Sequence, residues 1–331
     1  MQVSVIVPTY RRPESLSRCL AALSGQDRAP DEILVVARRE DHASRQVASE
    51  HAEGPVCLVM LDVPARRPGF VAALNAGVDD SSGEVVCITD DDAEPRPDWI
   101  SRILAAFNED PSIGAVGGRD WIYHDGHLED GSEAIVGSVS RWGRVVGGHH
   151  LGVGPARDVS VLKGVNLSVR GDLIRQVRFD TRLLGSATEH HSELGLCLTL
   201  RRMGFRIVYD PAIAVDHKPQ PRVAQAEART PGPGQVRDAS HNETLALLEH
   251  LPPLGRGAHL LWATTVGTRG APGLAQAARL LLSTGDPRLR LLASNLAGRR
   301  LAVVTYLRSP RGGALQDRDD WQSLGKTSGL Q

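Results

Sequence analysis

The chain has 331 residues, with 38 Lys and Arg against 39 Asp and Glu, and 41% of its residues are hydrophobic. These proportions are ordinary for a folded protein and exclude disordered and fibrous classes, and the length is enough for a large α/β domain with an appended helical part. The four cysteines stand singly in apolar runs, which is typical of buried thiols and offers neither a zinc cluster nor a disulfide framework.

Strands and helices are predicted to alternate over the first 90 residues. Residues 3–8 form a short apolar run rich in β-branched residues, and a helical pattern begins at Pro13 and ends before Gly25. Three more apolar runs, separated by segments of helical length, lie at 33–36, 56–61 and 85–88. This alternation predicts a Rossmann-like, mostly parallel sheet with flanking helices, whose ligands bind beyond the carboxyl ends of the strands.

The C-terminal third differs in composition. Residues 219–237 are rich in proline and poor in apolar residues, so we expect an α/β domain over 1–220 and a linker over 221–240. A basic helical region then covers 241–311, and the polar residues 312–331 are predicted to form a disordered tail.

The charged residues of the basic helical region are mostly positive. From Leu254 to Arg311 there are nine Arg and one acid, Asp286, among apolar residues. This pattern suits a helix lying on an anionic membrane surface, and it equally suits a helical subdomain whose Arg side chains are solvated. No stretch has the roughly 18 consecutive apolar residues of a membrane-spanning helix, and no signal peptide is visible. We therefore expect a cytoplasmic protein with no nucleic-acid partner, and peripheral contact with the inner face of the membrane stays open.

An acidic triplet, Asp90-Asp91-Asp92, directly follows the fourth apolar run. Three carboxylates at the end of a buried strand repel one another, so they need a cation or hydrogen-bond donors nearby. A divalent metal, Mn²⁺ or Mg²⁺, held together with substrate phosphates would supply that cation. The alternative is a solvated acidic turn that caps the next helix.

The residues around this triplet resemble family 2 glycosyltransferases over about residues 1–220. The resemblance rests on four motifs: V-S-V-I-V-P-T-Y-R-R at 3–12, A-L-N-A-G at 73–77, T-D-D-D-x-x-P-x-P-D-W at 89–99, and K-G-V-N-L-S-V-R at 163–170. It implies a GT-A fold, a nucleotide-diphosphate-sugar donor, a divalent metal at a D-x-D motif, and inversion at the anomeric carbon.

The resemblance also implies roles for individual residues. Asp92 and His217 would bind the metal, although a histidine that ends a strand is more often structural. A strand-entry turn is the competing interpretation for Gly164 and Asn166. The nucleotide-sugar site would comprise Pro8, Thr9, Tyr10, Arg11, Asp41, Asn75, Asp90, Asp91, Gly164 and Asn166.

The motifs leave several nucleobases possible for the nucleotide-sugar donor. After the second strand the family usually has an Asp-Asp-Gly-Ser run whose acid pairs with the base, and here the run is Ala-Arg-Arg-Glu-Asp over 37–41. Asp41 is the candidate substitute, so UDP, GDP and dTDP all remain possible donors.

Deprotonation of an acceptor hydroxyl requires a fixed carboxylate. Counted back from Arg201 to Gly204, Glu193 falls on the family's acidic position, and Glu189 is the second candidate base. A helix N-terminus also favours a negative charge, so a simple capping role is the alternative for Glu193.

These observations predict an inverting, metal-dependent glycosyltransferase that acts on a hydroxyl of a glycan, a lipid-linked or a small-molecule acceptor, in cell-envelope or exopolysaccharide biosynthesis. A sugar nucleotidyltransferase should have a Gly-rich phosphate loop after the first strand, and Pro8–Arg12 contains no glycine. A non-catalytic nucleotide- or glycan-binding protein derived from a transferase is the other alternative, because the stretch Glu189–Glu193 is irregular.

Overall fold

The computed structural model describes residues 1–51, 54–61, 69–124, 126–185, 189–219, 232–283 and 291–308. The described residues divide into two compact units: residues 1–140 with 144–219, and residues 141–143 with those from 232 onward. The predicted tail over 312–331 and residues 221–231 of the predicted linker lie outside the described residues.

The first unit is an α/β domain. Its helices are α1 (Pro13–Ser24), α2 (His42–Glu50), α3 (Phe70–Asp80), α4 (Trp99–Glu109), α5 (Gly171–Val177) and α6 (Ser192–Arg202). Its strands are β1 (Val3–Thr9), β2 (Glu32–Arg38), β3 (Val56–Leu61), β4 (Val85–Ile88), β5 (Ala93–Pro95), β6 (Ile113–His124), β7 (His127–Leu128), β8 (Ser138–Val139), β9 (Val145–Val146), β10 (Arg157–Asp158), β11 (Leu167–Arg170) and β12 (Arg206–His217).

One large sheet forms the centre of this unit, with the strand order β10-β12-β6-β11-β4-β1-β2-β3. β1 is buried along its whole length and pairs in parallel with β2 and β4. Its continuous apolar run is typical of a parallel strand that is buried on both faces. The predicted α/β class is confirmed. The sheet is parallel from β4 to β3, and it becomes mixed where β11 runs antiparallel between β4 and β6.

The sequence analysis did not predict β6. Its Gly117 and Gly118 lower the expectation of a strand, since glycine has no side chain to pack in a pleated sheet. The structure requires both glycines: a Cβ atom at Gly117 would lie 2.2 Å from the backbone oxygen of Asn166, and one at Gly118 would lie 1.9 Å from that of Ile213. Close approach of neighbouring backbone therefore selects glycine here.

Burial of the cysteines differs from the expectation at one position. Cys19, Cys87 and Cys197 are buried, whereas Cys57 is exposed. Cys57 lies on β3, the last strand in the sheet order, where covering elements end.

The second unit is helical, with α7 (Pro233–His250), α8 (Pro253–Thr265), α9 (Leu274–Ser283) and α10 (Leu291–Arg308). Helix α7 begins at Pro233, inside the segment 221–240 that the sequence predicts as a linker. Pro233 occupies the first helical turn, where its missing N–H costs nothing, and the Gln235 side chain accepts the Gly232 N–H at 2.8 Å. Among the described residues, none of the helices combines the length and hydropathy needed to span a bilayer.

Candidate active site

The acidic triplet lies at the carboxyl end of β4, and strand pairing brings a histidine to it. β5 pairs antiparallel with the end of β12, which places His217 opposite Ala93. The backbone N–H of Lys218 also donates to the Asp92 carbonyl at 2.9 Å. His217 Nε2 is therefore 3.4 Å from Asp92 Oδ1. One potential ligand atom from each of Asp90, Asp92 and His217 lies within 4.8 Å of the others.

An arginine that follows β1 stabilises this concentration of negative charge. The Arg12 guanidinium lies 2.7 Å from Asp91 and 2.5 Å from Asp92. Asp91 also accepts the Thr9 hydroxyl at 2.7 Å and is fully buried, so it faces protein rather than a ligand. Burial raises the pKa of Asp91 to about 7, although Arg12 lowers it. Pro8 is buried within β1. In this structure Asp91 and Pro8 support the site from within the protein, and their contacts with a donor stay predictions.

Asp120 is a buried acid that the sequence analysis missed. The parallel register of β6 and β12 sets Ile122 opposite His217, so Asp120, two residues earlier, lies on the same face of the sheet. Its Oδ2 is 3.6 Å from His217 Nδ1 and forms an ion pair with the Lys163 ammonium group. Burial lowers the pKa of His217, but interactions of its ring with the Asp120 and Asp92 carboxylates outweigh this effect and raise that pKa to about 9. No motif in the sequence indicates Asp120, because its role depends on strand register.

A cavity of about 330 Å³ adjoins these groups, and both candidate bases line it. Glu193 lies in the first turn of α6, and the Ser192 hydroxyl donates to its Oε2 at 3.1 Å. Glu189 is buried, and this burial raises the pKa of its carboxyl group. Hydrogen bonds from nearby backbone N–H groups lower that pKa and so offset part of the effect. Glu189 Oε2 has no hydrogen-bond partner among the described residues. The lining residues are Phe70, Asp90, Asp92, Lys163, Gly164, Val165, Glu189, His190, His191, Ser192, Glu193, His217 and Pro219.

The cavity therefore joins two kinds of chemistry. Its acidic and imidazole donors can hold a divalent cation, and its glutamates can accept a proton. Gly164 contributes backbone to the wall, and a Cβ atom built there would meet nothing within 4 Å. The predicted close approach of a ligand to Gly164 fits this open space.

Two predicted sugar-binding residues use their amides inside the protein instead. Asn166 is buried; its Oδ1 accepts the Trp99 indole N–H at 2.9 Å, and its Nδ2 donates to the Ile213 carbonyl at 2.9 Å. Asn75 bonds both backbone groups of Phe179, at 2.9 and 3.0 Å. Neither lines the cavity described above. A buried amide needs partners, and in both cases backbone or a core side chain supplies them.

The other predicted nucleotide contacts lie at the end of β1 and in the segments that follow β1 and β2. Asp41 is buried, accepts the Arg11 backbone N–H, and caps α2 by accepting the Ser44 N–H at 3.2 Å. The Tyr10 ring has the Arg38 guanidinium 4.6 Å and the Arg11 guanidinium 5.0 Å from its centroid. Asp41 thus fixes the loop, and the Tyr10 ring with its two arginines lies at the carboxyl ends of β1 and β2.

Comparison with known proteins identifies similar glycosyltransferases. Residues 4–151 match the family described as Glycosyl transferase family 2. The glucosyl-dolichyl phosphate glucuronosyltransferase of Haloferax volcanii is 27% identical over 228 residues, which cover 66% of this chain and 69% of that protein. Several other curated relatives are matched over only 24% to 49% of their length.

Solved structures show the same fold. Residues 1–349 of TarS from S. aureus, in complex with UDP-GlcNAc, superpose with a TM-score of 0.59 at 15% identity, over 93% of this chain and 92% of that one. GalNAc-T7 with UDP, GalNAc and Mn²⁺ superposes with a TM-score of 0.58 at 14% identity, over 75% of this chain and 48% of that one. The fold is therefore GT-A. The family match over residues 4–151 and the similar glycosyltransferases confirm the resemblance to family 2 glycosyltransferases that the motifs indicated.

Proposed function

We propose that this glycosyltransferase moves a sugar, with inversion, from a nucleotide-diphosphate-sugar donor to an acceptor hydroxyl, with the help of a divalent metal. One observation carries the proposal: a single cavity is lined by the Asp90, Asp92 and His217 donors and by the Glu193 carboxylate. An inverting displacement needs both groups on one reaction centre, one beside the leaving diphosphate and the other beside the acceptor.

The donor atoms suit Mn²⁺ or Mg²⁺. Two carboxylates and one imidazole leave positions open for phosphate oxygens and water, which is the arrangement in which such ions bind nucleotides. Arg12 contacts Asp92 through Oδ2, which turns Oδ1 toward His217. A bound metal would stabilise the negative charge that develops on the departing diphosphate. The similar GalNAc-T7 structure was determined with UDP and Mn²⁺.

The chain's own side chains perform the remaining tasks. Glu193 accepts the proton of the acceptor hydroxyl as that oxygen attacks the anomeric carbon. Lys163, held by Asp120 at the wall of the cavity, supplies positive charge near the phosphates. The Tyr10 ring with Arg38 offers a surface on which a nucleobase stacks.

The donor and acceptor are proposed by class. UDP is the first candidate for the donor's nucleotide, because the similar TarS and GalNAc-T7 structures contain UDP-GlcNAc or UDP. GDP and dTDP are the next candidates. The acceptor is a hydroxyl of a glycan, a lipid-linked sugar or a small molecule.

Thermal shift and donor hydrolysis together test this proposal. We expect one of UDP, GDP and dTDP to stabilise the protein only with Mn²⁺ present, by about 2.7 kcal/mol when the ligand is at 100 times its Kd. The matching nucleotide sugar should then release nucleoside diphosphate slowly, with water as acceptor. Metal-dependent binding without any release would favour the non-catalytic alternative, and absence of binding by all three nucleotides would contradict the proposal.

A further inference from the structure

Helix α8 exposes its apolar face. Leu254, Leu261 and Trp262 are exposed, Leu254 to 81%, and with Ala258 they follow the spacing i, i+4, i+7 and i+8 that defines one side of a helix. A helix packed in a globular domain normally turns this side toward the core. Leu254, Leu261 and Trp262 therefore lie on the outer side of α8.

The opposite side of α8 is small or polar. The buried residues of this helix are Gly255, His259 and Ala263. His259 faces a polar interior, because its Nε2 lies 3.4 Å from Arg299 of α10. Arg299 is buried and is paired with Glu243 of α7. The interior beneath α8 thus accommodates charge, while Leu254 and Leu261 of this helix are exposed.

Helix α9 repeats the pattern. Leu274, Ala278, Leu281 and Leu282 again occupy i, i+4, i+7 and i+8, and all four are exposed, Leu282 to 91%. Among the side chains of α9 that the structure describes, Ala277 is the buried one. Backbone hydrogen bonds between residues 266–268 and 271–273 define the turn that joins α8 to α9. We use the name apolar stripe for the exposed large apolar residues of these two consecutive helices: Leu254, Leu261, Trp262, Leu274, Leu281 and Leu282.

The charges beside the apolar stripe have one sign. The described residues of α8, α9 and α10 and of the turn between α8 and α9 contain no Asp or Glu. Arg269 in that turn, Arg279 on α9 and Arg300 and Arg308 on α10 are exposed. A protein partner for such a surface would need matching pockets for six large side chains, whereas an anionic bilayer accepts inserted leucines in any arrangement and attracts each arginine.

We propose that the second unit binds the surface of an anionic lipid bilayer, with the apolar stripe inserted among the acyl chains and the exposed arginines at the phosphate groups. Leucine and tryptophan supply the insertion, and arginine supplies the preference for negatively charged lipid. This interaction does not depend on sugar transfer, so its test is separate from that of the proposed function.

Vesicle flotation of the full chain tests the proposal. We expect binding to vesicles of phosphatidylcholine mixed with phosphatidylglycerol to exceed binding to pure phosphatidylcholine by at least about tenfold at low salt. The difference should shrink as salt rises, because charges are screened over about 10 Å at 0.1 M. The double variant Leu261→Glu, Leu282→Glu should bind the anionic vesicles at least about tenfold more weakly, since it removes two inserted side chains and adds two negative charges.

A matched control separates insertion from a general effect of added charge. Ile135, in the first unit, is 68% exposed, so Ile135→Glu makes the same kind of change outside the apolar stripe and should leave vesicle binding at the wild-type level. Unchanged circular dichroism and melting temperature of both variants verify folding, which exposed positions should tolerate. Equal flotation of the double variant and the wild type would overturn the proposal. So would sedimentation showing a wild-type dimer that the double variant converts to monomer, because the stripe would then be an interface between two copies.

Discussion

Replacement of Glu193 by glutamine removes a proton acceptor while nearly keeping its shape. The Gln side chain keeps an oxygen that can accept the Ser192 hydroxyl, now 3.1 Å from Oε2, so the geometry of the cavity wall should be retained. Loss of a general base lowers kcat by roughly 10² to 10⁴, equivalent to about 3–5 kcal/mol in the activation barrier. Donor affinity should change little, because the proposed metal site consists of Asp90, Asp92 and His217 and does not include Glu193.

The position of Glu193 sets the size of the competing effect. In the first turn of α6 its charge interacts favourably with the helix dipole, which contributes about 0.3–1 kcal/mol to folding. A purely capping Glu193 therefore predicts a slightly lower melting temperature and near-normal turnover. A general base affects mainly the activation barrier, by about 3–5 kcal/mol, whereas a helix cap affects mainly the folding stability, by about 0.3–1 kcal/mol. Measuring both quantities on one variant therefore separates the two interpretations.

The assay combines three measurements on the purified variant: melting temperature, metal-dependent nucleotide affinity by calorimetry, and steady-state release of nucleoside diphosphate. Glu189→Gln is the matched control, because it changes the second cavity glutamate in the same way. We expect Glu189→Gln to reduce turnover less than Glu193→Gln does. Near-normal turnover of Glu193→Gln, with collapse in the control, would refute the reasoning and assign the base to Glu189.

Further predictions concern thiols and glycines. In the native protein at pH 8 only Cys57 should react with an alkylating reagent, as measured by mass spectrometry. The reason is that burial raises the pKa values of the Cys87 and Cys197 thiols to about 12. Rapid labelling of either buried cysteine would contradict that packing. Gly117→Ala should lower the free energy of unfolding, measured in urea, by at least about 3 kcal/mol, because the added Cβ atom meets a backbone oxygen. Gly164→Ala should change that free energy by less than about 0.5 kcal/mol. The same Gly164 variant should bind the nucleotide sugar more weakly, because Gly164 lies at the cavity wall. Equal stabilities of the two alanine variants would contradict the packing of β6.

The first four strands and the acidic triplet were predictable because their causes are local. Short apolar runs followed by helical spacing define β1 to β4, and the position of Asp90 and Asp92 after β4 follows directly from that order. The meeting of Asp92 with His217 was predicted only through the family resemblance. In the structure it results from the pairing of β5 with β12, which no local pattern contains.

Tertiary partners also determine how the structure uses Asn166, Asn75 and Asp120. Asn166 and Asn75 have side chains that suit sugar hydroxyls, but each amide is paired within the protein, by a tryptophan N–H and backbone in one case and by the Phe179 backbone in the other. Asp120 was missed because β6 itself was missed: its glycines indicate a loop, and their necessity becomes visible only when β11 and β12 lie against it. Tertiary partners decide whether a polar residue faces a ligand or another part of the chain.

The central claim is that Asp90, Asp92 and His217 hold a divalent metal that binds the donor diphosphate. The most direct test is the release of nucleoside diphosphate from the nucleotide sugar that stabilises the wild type, measured with and without Mn²⁺ on the wild type and on Asp92→Asn, with binding followed in parallel by calorimetry. The account predicts that EDTA abolishes wild-type release, that added Mn²⁺ restores it, and that Asp92→Asn loses the metal-dependent part of both binding and release. Metal-dependent binding and release that persist unchanged in a folded Asp92→Asn protein would contradict the account.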